Sequence, residues 1–360
     1  MSTIGDCIKI TVFGESHGPA IGISIDGLPS GEQIDFDRVR EDMARRAPGD
    51  SAIGTARSEK DEPRVLSGIL GDRTTGMPVC AVIENTNTRP GDYSGFKNIP
   101  RPGHADLTAQ LKYGFTDLSG GGHFSGRLTA PIVFAGALCR QILERRGIAA
   151  AGHVLKLGSI TDSRFDAVDD EKDLLLRLSR EVFPVIDAER KDLMLKEIDA
   201  VKKERDSLGG VIEFKASGLP AGLGGPLFEG LEGVVSSYVF GIPAVKGIEF
   251  GAGFALSDKK GSESNDAFYM DGDRVKTKTN NMGGILGGIT NGMPFIFRAA
   301  MKPTSSIARV QQSVDLEKGC DAALEVKGRH DSCVVPRAVP AIEAAALLAL
   351  TDQMIKAGKL

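Results

Sequence analysis

Three of the chain's five histidines sit in polar turns. His17 lies in Gly14-Glu15-Ser16-His17-Gly18, His104 in Arg101-Pro102-Gly103-His104-Ala105-Asp106, and His330 in Arg329-His330-Asp331-Ser332-Cys333. Imidazole titrates near neutral pH, and a histidine on a turn held by a rigid scaffold suits a general acid or base. One such residue is ordinarily a surface or core histidine. Three, each beside Arg, Asp or Gly, point to proton transfer. The metal spacings HxH, HExxH and HxxxH are absent, which disfavours a zinc site. Gly14-x-Ser16-x-Gly18 formally matches a nucleophile elbow, but without the acid-then-histidine order of a serine hydrolase.

Arginines crowd the same turns: Arg45, Arg46, Arg57, Arg101, Arg127, Arg329 and Arg337. Guanidinium pairs bidentately with carboxylate and phosphate, so together they describe a site for a small polyanion. Lys302-Pro303-Thr304-Ser305-Ser306 adds a cation and three hydroxyls suited to a phosphate. Glycines cluster at 120–122, 283–284 and 287–288. No Gly-Lys-Ser/Thr follows them, and none forms GxGxxG opening a helix, which disfavours a P-loop and a Rossmann dinucleotide site. Two readings stay open for the glycines: close packing of helix on sheet, or backbone approaching a flat or phosphorylated ligand.

These residues need elements to hold them. Ile8, Ile10 and Val12 alternate with polar residues, which predicts a strand running into the His17 turn. Ala20 to Ile25 reads as its hairpin partner. Asp35 is placed to cap a helix carrying Phe36, Val39 and Met43 on one face, which ends near Arg45-Arg46 before Pro48-Gly49. The helix end directs both cations toward a loop. Residues 51–62 and 86–101 read as loops, Val79 to Ile83 as a strand, Leu107 to Tyr113 as a short helix, and Thr129 to Arg146 as a long helix stopped by Gly147. Residues 165–207 are highly charged, with Met194, Ile198 and Val201 keeping one apolar stripe, hence a solvated amphipathic helix. Residues 211–257 read as strands with glycine turns, and 338–356 as a buried terminal helix.

Composition sets the class. The chain has 360 residues, 41% hydrophobic and 26% charged, enough apolar material for a large core. Its 45 glycines exceed the usual share and imply many tight turns. A net charge of −4 argues against nucleic-acid binding, which needs a strong basic field. The apolar stretch from Ala130 to Cys139 is too short to span a bilayer, and the N-terminus lacks a signal-peptide pattern. Five scattered cysteines without a CxxC pair fit a reducing compartment. The expectation is a cytoplasmic protein without membrane or nucleic-acid partners. Glycine- and proline-rich stretches interrupt one body rather than separate two.

The segments 14–18, 101–106, 283–292 (Gly-Gly-Ile-Leu-Gly-Gly-Ile-Thr-Asn-Gly), 302–306 and 328–340 (Gly-Arg-His-Asp-Ser-Cys-Val-Val-Pro-Arg-Ala-Val-Pro) together resemble the chorismate synthase family, in order and spacing along nearly the whole chain. The resemblance implies an α+β fold, a β-α-β sandwich forming a single domain over 1–360, assembled as a homotetramer. It implies a lyase that converts 5-enolpyruvylshikimate-3-phosphate to chorismate and phosphate. That is a 1,4-anti elimination dependent on reduced FMN without net redox change, with NADPH as a candidate reductant. It is the last common step of the shikimate pathway to aromatic amino acids. The substrate's phosphate and two carboxylates would account for the arginines.

Site residues follow from the resemblance position by position. His17 is similar to the family's histidine that protonates the leaving phosphate, His104 to the one that protonates the flavin, and Asp331 to the acid working with the flavin in proton removal. Flavin contacts fall on His123, Phe124 and Ser125, on Pro243 and Ala244, on Gly287, on Lys302, Pro303, Thr304, Ser305 and Ser306, and on Arg329. Arg46 matches an NADPH-linked position, and with Arg45, Arg127 and Arg337 it equally suits the substrate. The chain departs from the family in one motif. Where Arg-Gly-Gly-Gly-Arg-Ser-Ser-Ala-Arg-Glu-Thr is common, it reads Ser119-Gly-Gly-Gly-His123-Phe124-Ser125-Gly126-Arg127-Leu128-Thr129, and Ala52 replaces a second NADPH-linked arginine.

Overall fold

The alternating apolar residues of the N-terminal segment build the first of two antiparallel five-stranded sheets. A computed structural model describes residues 2–47, 61–86, 98–115, 119–326 and 331–360. The first sheet runs Thr3–Ile4, Lys9–Gly14, Ala20–Asp26, Val79–Glu84 and Arg64–Ser67 in spatial order. Pairing Ile10 with Ile25 and Ile23 with Ala81 aligns the small and branched side chains on one buried face, as the two-residue period requires.

The second sheet runs Val245–Phe250, Phe295–Met301, Gly210–Ser217, Ala149–Leu157 and Ile160–Thr161. In its central strand Ile212, Phe214 and Ala216 face the main core, and Phe214 stacks on Phe297 with ring centroids 5.0 Å apart. The alternate residues Glu213, Lys215 and Ser217 are buried on the opposite face and put two charges and a hydroxyl there.

Eight helices accompany the sheets among the described residues: α1 (Phe36–Arg46), α2 (Asp106–Tyr113), α3 (Thr129–Glu144), α4 (Lys172–Leu178), α5 (Ala188–Lys203), α6 (Leu231–Val239), α7 (Gly261–Ser264) and α8 (Val335–Lys356). Helices α1, α3 and α8 form the middle layer. α3 packs on the first sheet and α8 on the second, so the architecture is the expected α+β, β-α-β sandwich. α8 is long and apolar enough to cross a membrane, but it is buried within the fold as a core helix. At Gly136 the α3 backbone comes so near α8 that a β-carbon would lie 2.3 Å from that of Ala344. Glycine is therefore required there.

Asp35 caps α1 as expected, its carboxylate accepting from the backbone N–H of Asp37 and Arg38. Three expectations need correction. Residues 165–207 hold two helices, α4 and α5, separated by a turn. The stretch 211–257 contains α6, whose Leu231, Val235, Tyr238 and Val239 form a helical stripe between glycines. α8 begins at Val335 rather than 338, because Pro336 sits in its first turn where no N–H is needed. Most of the expected loops at 51–62 and 86–101 lies outside the described residues.

Charges are buried where the middle helices meet. The Glu343 carboxylate accepts from Arg45 at 2.6 and 3.0 Å, from Arg140 at 2.8 Å and from the Gly152 N–H at 2.8 Å. Burial alone would raise the Glu343 carboxyl, but Arg45 and Arg140 hold it below the ordinary range. This cluster ties α1, α3 and α8 into one register.

Candidate active site

A cavity of about 720 Å³ opens where the C-terminal end of α1, the glycine turn before α3, the segment 240–246, the end of the Phe295–Met301 strand and the start of α8 converge. Its size suits a small-molecule site. Among the described residues four arginines line it: Arg46, Arg101, Arg127 and Arg337. Each is held by an aspartate.

Arg46 donates from Nε to Thr129 Oγ1 at 3.1 Å, from Nη2 to the Gly126 carbonyl at 3.0 Å, and from Nη1 to Asp61 Oδ2. Arg127 donates from Nε to Asn85 Oδ1 at 3.1 Å and from Nη1 to the other oxygen of Asp61. Burial would raise the Asp61 carboxyl, but the two guanidiniums overcome it and hold it below its ordinary value. Burial lowers the Arg46 pKa; Asp61 opposes that, while Arg337 and Arg127 add to it by repulsion. Arg337 donates to Asp331 Oδ2 at 2.5 Å and to the Arg46 carbonyl at 3.2 Å, which links α8 to α1.

Arg101 grips Asp106 with two charge-assisted hydrogen bonds, 2.7 and 2.8 Å long. Asp106 Oδ1 also lies 2.9 Å from His104 Nδ1. Arg101 Nη2, which can only donate, lies 3.2 Å from the same Nδ1, so the protonated ring donates there to Asp106 while a ring bare at Nδ1 accepts from Arg101, and in both forms Nδ1 is engaged and Nε2 is the nitrogen turned away from the pair. Burial opposes ionisation of Asp106, but hydrogen bonds from Arg101 and His104 hold its carboxyl far below the ordinary range.

The glycine turn explains itself against the two histidines. Gly120, Gly121 and Gly122 all have left-handed φ, of 61°, 89° and 51°. A β-carbon on Gly120 would lie 2.0 Å from His17 Cε1, and one on Gly121 would lie 3.2 Å from His104 Cε1. Thus these glycines fit between the imidazoles. Gly120 lines the cavity and His17 does not; it stands behind the turn.

Opposite, Lys302, Pro303, Thr304, Ser305 and Ser306 form one wall. Lys302 Nζ donates to the Gly103 carbonyl at 3.1 Å and to Ser305 Oγ, and burial together with Lys246 pushes its pKa down. Thr304 Oγ1 is buried without a hydrogen-bond partner among the described residues. Pro243 and Ala244 line the cavity, with Ala244 at a left-handed φ of 74° and its carbonyl accepting from the Lys302 N–H at 2.9 Å. His123 and Phe124 bring an aromatic wall, ring centroids 4.2 Å apart, with Tyr113 edge-on to His123 at 5.3 Å. Ser125 and Asp331 line the cavity too, and Asp331 Oδ1 is buried without a hydrogen-bond partner among the described residues.

Two expected site residues lie elsewhere. Arg45 is committed to Glu343 in the buried cluster: neighbouring helix positions point about 100° apart, so Arg46 faces the cavity and Arg45 the core. Gly287 belongs to the tight turn between Ile285–Leu286 and Ile289–Thr290, outside the cavity wall, where its φ of 61° serves the turn. Arg329, His330, Arg57 and Ala52 lie outside the described residues. Sequence reasoning missed Asp61, Asn85 and Thr129, which fix the arginines. Their only signal is polarity, which they share with many surface residues.

The family model described as chorismate synthase matches residues 8–355. A chorismate synthase from Dehalococcoides mccartyi is 43% identical over 358 residues, covering 99% of this chain and 97% of the relative. One from Thermococcus kodakarensis is 42% identical, covering 98% and 97%. A solved structure titled as a chorismate synthase crystal structure superposes with a TM-score of 0.76 at 26% identity, covering 98% of this chain and 93% of that one. Sequence, fold and relatives agree that the chain belongs to the chorismate synthase family, and it is a lyase of that type.

Proposed function

We propose that this cavity eliminates phosphate from 5-enolpyruvylshikimate-3-phosphate to give chorismate, with reduced FMN bound beside the substrate. The observation that carries the reading is the convergence of four aspartate-held arginines with His104 and the 302–306 wall on one cavity. A substrate with a phosphate and two carboxylates matches that charge.

The residues present fit a flat phosphorylated cofactor. His123, Phe124, Ile242 and Met301 supply apolar and aromatic wall, and the unpartnered Thr304 Oγ1 sits with Lys302, Ser305 and Ser306 as a phosphate anchor. Ser125, Pro243, Ala244 and Pro303 complete the contacts proposed. Reduced FMN, when bound, supplies the reversible electron transfer that C–O cleavage needs without net redox change.

The chain's own groups do the rest. Arg46, Arg127 and Arg337 bind the anions and fix the ring's orientation, removing the entropic part of the barrier. His104, oriented at Nδ1 by Asp106 and Arg101, exchanges a proton at Nε2. His17 holds the proton that neutralises the departing phosphate; what supports this is that Gly120 places no side chain between it and the cavity. Asp331 Oδ1, buried and unpartnered, is the acceptor assigned to the substrate's ring proton.

The same reading includes a cytoplasmic homotetramer. Unpaired cysteines support the compartment. Exposed large apolar residues such as Leu227, Phe228 and Phe254 support a covered surface. Arg46 is also the remaining candidate for NADPH. Anaerobic phosphate release with FMN reduced by dithionite, and separately by NADPH alone, tests the function. Release in the first arm supports it, and its absence there despite flavin binding would overturn it. The second arm decides whether the chain reduces its own flavin.

A further inference from the structure

Asp61 takes no part in the wall of the cavity, yet it governs two side chains that do. Its side chain is wholly buried behind Arg46 and Arg127, with one carboxylate oxygen on each guanidinium. Other donors of both guanidiniums are engaged as well, on Arg46 by Thr129 Oγ1 and the Gly126 carbonyl, on Arg127 by Asn85 Oδ1 and the Glu84 carbonyl. The Asp61 backbone adopts a left-handed φ of 43°. Such a conformation in a non-glycine residue is held by its surroundings and clusters at functional sites. Arg337 adds a third guanidinium close enough to repel Arg46.

We propose that Asp61 is a positioning residue for substrate recognition: its buried carboxylate aligns Arg46 and Arg127 as one rigid fork that receives an anionic group of the substrate. This rests on the reading of those arginines as the substrate's anion site. The carboxylate offsets the mutual repulsion of three neighbouring guanidiniums. Held in this way, both cationic side chains line the cavity in one fixed arrangement. An anion then meets positive charge already in place, and affinity gains from that preorganisation. An amide cannot substitute. Its single oxygen serves one arginine, and its NH2 group presents donors to the other. A glutamate keeps the charge but carries it one methylene further, displacing the fork.

The test uses the full chain as wild type, Asp61→Asn and Asp61→Glu. Calorimetry follows binding of 5-enolpyruvylshikimate-3-phosphate to the FMN-loaded protein, and separately of FMN to the free protein. Steady-state kinetics give KM and kcat. Asp61→Asn is expected to weaken substrate binding by about 10- to 100-fold, the scale of losing one charge-assisted anchor, with FMN affinity retained. Asp61→Glu, which keeps the buried charge and therefore the fold, is expected to melt like the wild type. It should raise KM several-fold with kcat nearly unchanged, the mark of lost uniform binding. Substrate affinity equal to wild type in Asp61→Glu overturns the proposal, whether or not Asp61→Asn folds. Parallel loss of FMN and substrate affinity in both variants overturns it as well, because that marks general collapse. A wild type that binds FMN but no substrate overturns the substrate reading first, and this proposal with it.

Discussion

Gly120 stands so close to His17 that a β-carbon on it would lie 2.0 Å from the imidazole Cε1. The φ of 61° at Gly120 adds a second constraint, since left-handed backbone costs an L-residue about 1–2 kcal/mol. Gly120→Ala is therefore expected to displace His17 and to lower turnover nearly as much as His17→Ala does. His17→Ala itself should lower kcat by about 10²–10⁴-fold, the usual range for a general acid. Stopped-flow turnover at saturating substrate and reduced FMN reads both. Full activity in Gly120→Ala would show that the imidazole need not sit where the turn holds it.

Asp106 holds both Arg101 and His104, and on the proposed function it acts through the imidazole rather than on the substrate. Asp106→Asn should lower kcat by about 10²-fold or more, because His104 loses the charged group that orients its ring and stabilises its protonated form. In the double variant with His104→Ala the two effects should fail to add, since the aspartate works only through the imidazole. Additive losses in that cycle would separate the two residues.

The buried cluster at Glu343 makes a stability prediction. Glu343→Gln removes the charge that Arg45 and Arg140 share and puts an NH2 donor in place of one accepting oxygen, leaving Asp42 as the carboxylate between them. Breaking a buried pair in this way costs about 3–5 kcal/mol. The denaturant midpoint should fall with the m-value unchanged. A midpoint like that of the wild type would show the cluster to be energetically idle.

His153 gives a pH dependence of defined sign. Its Nδ1 lies 3.2 Å from Asp162 and its Nε2 lies 3.1 Å from Glu213, so both nitrogens face carboxylates. Burial would lower its pKa, but these two acceptors raise it above the ordinary 6.5. A raised folded-state pKa means that the imidazolium's stabilisation is complete below about pH 6.5 and is lost as pH rises through the folded value. Urea unfolding across that window should show the loss in the wild type and a flatter profile in His153→Gln. Identical slopes would remove His153 as the source.

Sequence patterns gave access to whatever is local. Asp35 as a cap, the Lys9–Gly14 and Ala20–Asp26 hairpin, and the burial of α8 follow from period and cap chemistry. The site was legible where a motif places its residues side by side, as in Arg101, His104 and Asp106. It was not legible where distant polar residues meet. Asp61 sits in a charged run that reads as a solvated loop, and only the folded chain brings it under Arg46 and Arg127. Arg45 and Arg46 are neighbours in sequence, yet the helix turns one to the core and the other to the cavity. The helix over Leu231–Val239 was missed because flanking glycines mimic strand turns.

Elimination without net redox change, in a cavity built by these arginines and His104, stands or falls on its stoichiometry. Anaerobic reaction with a limiting, known amount of reduced FMN, counting phosphate and chorismate together, measures that. The expected result is one phosphate for each chorismate and many turnovers for each flavin. One turnover for each reduced flavin, or phosphate without chorismate, would contradict it.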